Sequence, residues 1–135
     1  MHKAFFLALF VMAVAVPALA QDAVKADPKH YKVEFENARV RVLRVHYGPK
    51  EKSVWHRHPA GVVIAVTDTH AKFNLPGGKS QESNLKAGET QATPAGRHLP
   101  ENMSDSDFEV ILVELKTRRK PAAKPAAPPP PPSKQ

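Results

Sequence analysis

The chain has 135 residues, room for one domain, and no cysteine, which excludes disulfide bridges and thiolate metal sites as sources of stability. Its formal charge of +7 suggests a nucleic-acid binder until it is divided along the chain: residues 21–115 hold 13 Lys and Arg against 13 Asp and Glu, whereas Lys116, Arg118, Arg119, Lys120, Lys124 and Lys134 stand among no acids. The excess charge belongs to the C-terminal end, so the central segment has no electrostatic footprint for nucleic acid, and no such partner is expected.

Residues 1–20 read as a secretory signal peptide. His2 and Lys3 precede an apolar run over 4–16, and Ala18-Leu19-Ala20 offers small residues at the positions a signal peptidase accepts. That run is shorter than the ~20 residues a membrane-spanning helix requires. Cleavage before Gln21 and a periplasmic or secreted location are therefore expected.

After the cleavage point, 21–37 reads as a lead-in ending in a first strand, with alternation over 31–36. The span 38–116 reads as the body of the domain. Residues 39–47 are rich in β-branched and aromatic side chains, and 61–66 is a continuous apolar run, expected to be a strand buried on both faces. A strand over 71–75 leads into the hairpin turn Pro76-Gly77-Gly78-Lys79 and a polar return strand over 80–85. A turn over 86–89, a strand over 90–93, the turn Pro94-Ala95-Gly96 and a closing apolar strand over 108–115 follow. No segment carries a sustained helical period. Seven or eight short strands predict an all-β sandwich or small barrel whose interior is a natural pocket. From 117 to 135 the chain is basic and proline-rich, with five consecutive prolines at 128–132, and is expected to be a disordered polyproline II tail.

Six histidines follow the signal segment, and three have suggestive company. His56 and His58 are two residues apart, so in an extended strand their imidazoles share a face and can reach one ion. Downstream, Gly88 is followed by Pro94-x-Gly96-x-His98 and then Asn102. With Gly48 ahead of His56, this arrangement resembles the cupin superfamily. That family's first motif contains Gly-x5-His-x-His-x3,4-Glu, and its second contains Gly-x5-Pro-x-Gly-x2-His-x3-Asn. The resemblance covers about 38–115 and implies a double-stranded β-helix, or jelly-roll, barrel. It also implies His56, His58 and His98 as ligands of a divalent ion.

The chain departs from the pattern in three places. Gly48 to His56 is two residues long, Gly96 to His98 is one short, and the glutamate's place falls at Val62 or Val63. Valine cannot ligate, so the implied site has three histidines. Neutral ligands leave an ion its full charge and favour imidazole-loving Fe²⁺, Zn²⁺, Cu²⁺ or Ni²⁺ over harder ions. Three-histidine cupins holding Fe²⁺ occur among the thiol dioxygenases, so the missing carboxylate does not exclude chemistry.

Other residues carry two readings each. Glu101 either acts as a base or ligand or faces water from a turn, the commoner role of a loop carboxylate. Trp55 either lines the pocket mouth or packs. Asn102 caps a turn. His30, His46 and His70 lack a partner motif and are expected to be surface or structural. Arg39, Arg41, Arg44, Glu109 and Glu114 fall within strands, where charged residues usually face water, although Arg41 or Glu114 projecting inward would orient a small anion or amine. Two functions follow. One is an exported barrel that binds a small ligand through a three-histidine metal, as in an oxygenase or isomerase. The other is a metal-free binding or sensor module held to an anionic envelope surface by its tail. Pairing of two copies along exposed strand edges is a further expectation.

Overall fold

The computed structural model of this chain describes residues 21–117; the expected signal peptide and the proline-rich stretch beyond Thr117 lie outside the described residues. In chain order the elements are α1 (Ala23–Ala26), β1 (Tyr31–Glu36), β2 (Val40–Tyr47), β3 (His56–His58), β4 (Gly61–Ala65), β5 (Thr69–Leu75), β6 (Lys79–Leu85), β7 (Thr90–Thr93), β8 (Gly96–Asn102) and β9 (Phe108–Leu115). The strands form two antiparallel sheets, one ordered β1-β2-β9-β4-β7 and the other β3-β8-β5-β6. They enclose one apolar interior, the double-stranded β-helix of a jelly roll.

Alternation builds that interior. Leu43, Val45 and Tyr47 on β2 and Phe108, Val110 and Leu112 on β9 all point inward and are buried. They meet across the ladder, with Leu43 opposite Leu112 and Tyr47 opposite Phe108. The hairpin from β5 to β6 turns at Pro76–Gly78, where Gly77 takes a φ of 77° that a side chain would disfavour. β1 pairs with β2, and Tyr31 is buried in the core, so 31–36 is part of the barrel wall.

Three features differ from expectation. The apolar run at 61–66 is buried on one face only: Gly61 and Ala65 of β4 are buried, but Val62 in β4 and Val66 just after it are 37% and 44% exposed. The run is continuous because the outer face is also apolar, with Val42, Val113 and Val62 in register across β2, β9 and β4. The strands among the described residues number nine, because His56–His58 and Gly96–Asn102 both join the four-stranded sheet. Finally, one helical turn precedes β1. Asp22 caps it by accepting from the Val24 amide at 3.1 Å, and Ala23 is fully buried beneath it. A single turn is too short to display a period. The Gln21 carbonyl accepts from the Arg57 amide at 2.9 Å, which holds this segment beside β3.

Candidate metal centre and cavity

β3 and β8 run antiparallel with His56 directly opposite His98. Because His58 shares a face with His56, the two strands bring all three predicted histidines together, with one nitrogen from each within 4.8 Å of the others. His56 and His58 are buried, and the side chain of His98 has a buried Nε2.

Hydrogen bonds determine which nitrogen each ring offers. His56 Nδ1 donates to the Val54 carbonyl at 2.8 Å, and His58 Nδ1 donates to Glu114 Oε1 at 2.6 Å. Nε2 is then the nitrogen that each of these two rings turns to the other, and the two lie 3.1 Å apart. His98 Nε2 is buried with no hydrogen-bond partner among the described residues. Two Nε2 atoms this close need a proton or a metal ion between them, and the orphaned third is unfavourable in an apolar interior without a partner. The donor set therefore fits a divalent ion of the imidazole-loving kind.

The electrostatics agree. Burial, then the neighbouring His58, pulls His56 down to about 4. Burial, then His58 and His56, pulls His98 down to about 3. Both rings are thus neutral at physiological pH, the form that ligates.

Behind His58 stands Glu114, 1% exposed. It follows Phe108, Val110 and Leu112 on the inward face of β9, so the inward reading holds for it and the water-facing one does not. Its cross-strand neighbour Arg41 donates from Nε to Glu114 Oε2 at 2.6 Å and also pairs with Asp22. Burial pushes the Glu114 carboxyl up, but hydrogen bonds from His58 and Arg41 outweigh it and keep the group below the usual range. A carboxylate behind a ligating imidazole fixes its tautomer and raises its basicity. Sequence reasoning named Glu114 only as a group that could project inward. The available signal was an acid at the inward parity of an otherwise apolar strand.

The remaining candidates fall elsewhere. Glu101 is in β8, not in a turn, on the face opposite His98, and is held by Asn74 and by Lys52 at 3.1 Å. Trp55 lies outside both core and cavity, with the Arg97 guanidinium 4.9 Å over its ring. Asn102 is buried and ties the turn after β8, donating to the Gly48 and Ser106 carbonyls at 2.9 and 2.7 Å. His46 and His70 are at the surface beside Asp107 and Glu82. His30 is buried and bridges Asp27 and Glu51 through its two ring nitrogens, at 2.6 and 2.9 Å, while its ring stacks on Tyr47. Arg44 pairs with Glu34 and Glu109 on the outer side of the sheet, and Arg39 is exposed.

The histidines open onto a cavity of about 260 Å³ inside the barrel. Val45, Phe73, Leu75, Phe108, Val110 and Leu112 line its walls, and His58 and His98 contribute to one side. Val63 lines it as well, whereas Val62 is on the outer face, so of the two places for the family's glutamate only 63 faces the lumen.

No protein-family model and no curated protein matches the sequence. Among solved structures, the chain is similar to a cupin domain from Bordetella pertussis Tohama I, with 31% identity and a TM-score of 0.59 over 64% of this chain and 92% of that one. It is also similar to a Klebsiella pneumoniae protein with a double-stranded β-helix domain, with 22% identity and a TM-score of 0.51 over 63% of this chain and 74% of that one.

Proposed function

This chain belongs to the cupin superfamily, and on that footing we propose that it binds a small ligand in its barrel at a divalent transition metal held by His56, His58 and His98. The observation that carries this reading is the convergence of one nitrogen from each of three imidazoles within 4.8 Å, with two Nε2 atoms 3.1 Å apart and the Nε2 of His98 without a partner among the described residues. Iron, zinc, copper or nickel would suit three neutral imidazoles, and such an ion supplies a Lewis acid or an oxygen-binding centre. The protein's own part is to orient the ligands and to receive the body of the bound molecule. Glu114 and the Val54 carbonyl hold His58 and His56 in the ligating tautomer, while the apolar walls offer a surface for the body of a ligand.

Export belongs to the same proposal and is supported by the sequence alone, through the apolar run at 4–16 and Ala18-Leu19-Ala20. An envelope contact through the basic tail and pairing of two copies complete it. The latter draws support from β1, a sheet edge on which Val33 and Phe35 are 45% and 53% exposed.

The test is metal content by mass spectrometry on protein purified without an affinity tag, beside a His56→Ala, His98→Ala variant. Close to one equivalent of a transition metal, lost in the variant, is expected. No metal in either protein after incubation with zinc, iron, copper and nickel would leave the metal-free binding module as the better account.

A further inference from the structure

We propose that the ligand of this cavity is a small hydrophobic monoanion that presents an oxygen donor, with the chemistry of a monocarboxylate. The body of the ligand is inferred from the cavity lining alone, and its anionic head rests on the metal reading above.

The lining contains no carboxylate, and Arg97 is its single charged residue. Arg97 is exposed, alternates with His98 along β8 and carries its guanidinium over Trp55, so its charge lies at the solvent side of the lining. The polar groups on the β5, β6 and β7 side are neutral hydroxyls and amides: Thr69, Gln81, Ser83, Gln91 and Thr93. Ser83 donates to the Gln91 side-chain oxygen at 2.8 Å, so part of that capacity is already used. A polyamine or a dianion would have to bury several charges with no opposite charge in the lining, and a sugar, which can meet partners only on the β5, β6 and β7 side, would bury its other hydroxyls against Val45, Phe73, Phe108 and Leu112 at a cost of about 1–3 kcal/mol each. A volume of about 260 Å³ is also below that of pockets for drug-sized molecules, which points to a short chain or a single ring.

The charge of the head follows from what surrounds the histidines. Three neutral imidazoles leave a dication uncompensated. Behind them, Asp22, Arg41 and Glu114 form one ion-paired trio with a single net negative charge, while the other nearby acid, Asp27, is engaged in a separate chain of pairs with His30, Glu51 and Lys29. Occupied by a dication, the centre keeps one positive charge in a low-dielectric interior, and one monoanion neutralises it. A second anionic group would overshoot, and a neutral donor would leave the charge unmet.

Calorimetric titration of hexanoate, hexan-1-ol, succinate and glucose into zinc-loaded and chelator-treated protein, expressed from the full-length chain, tests both parts. Hexanoate should bind the zinc-loaded protein about tenfold or more tighter than hexan-1-ol, with the gap closing after chelation. Hexan-1-ol should bind both forms alike, and succinate and glucose should be weaker than either. Succinate or glucose matching hexanoate on zinc-loaded protein would overturn the inference while leaving the metal reading intact. Failure to take up zinc would overturn the metal reading and the anionic head together. The apolar body would then stand or fall on whether hexan-1-ol outbinds glucose.

Discussion

His58 shows how much of this centre depends on a residue behind the ligands. Its ring is aimed by Glu114, which is anchored in turn by Arg41 and Asp22. Replacing Glu114 with Gln keeps the shape but removes the charge that makes the imidazole a strong donor. Metal affinity, read by competition with a chelator, should fall about 10–100-fold. The histidines also set a pH response in the metal-free protein. An unfolded chain protonates its histidines near pH ~6.5, whereas folded His56 and His98 wait until about 4 and about 3. The unfolded state therefore binds more protons in that window, and acid favours it. The thermal midpoint of the metal-free protein should decline as pH falls from about 6.5 toward 4, and below that the depressed Asp27 and Glu114 carboxyls push in the same direction. All three histidines were legible as candidates because spacing and motif mark them. Glu114 was only half legible, since a charged residue in a strand usually faces water, and inward parity becomes decisive only once the barrel is closed.

At the scale of elements, the contact between β4 and β9 is the tightest constraint. A Cβ on Gly61 would lie 2.2 Å from the Val113 carbonyl, a backbone atom that cannot rotate away. Gly61→Ala should therefore destabilise the fold by about 1–3 kcal/mol, read as a lower midpoint in denaturant or heat. Strands with strong apolar signals, such as Phe108–Leu115 and Tyr31–Glu36, were readable from alternation. β3 and β8 were not, and they carry the site. β3 is three residues long and holds only histidine and arginine, while β8 contains Pro100, which lacks an amide donor and argues against a strand. In the fold, Pro100 lies beyond the residues paired with β3, and its carbonyl accepts from the Ser53 amide at 2.9 Å. Function has displaced local propensity in these two strands, so the elements hardest to read are the ones that hold the chemistry.

For the whole molecule, charge divides labour. The barrel is neutral overall, and the basic excess lies in the C-terminal stretch. Deleting residues 118–135 should leave the melting midpoint and metal content of the barrel unchanged, because every strand among the described residues ends by Leu115. Binding to anionic vesicles should be lost if the stretch makes the envelope contact, which co-sedimentation would read. By itself the sequence determined an all-β barrel, its main strands, the three candidate histidines and the segregation of charge, because periodicity, motif spacing and composition are local properties. Only the tertiary structure decided that His98 meets His56 across a ladder, that Glu114 turns inward to hold His58, and that the cavity lining holds no carboxylate. Those outcomes depend on register between strands far apart in the chain, and register is settled by how the two sheets close on one another.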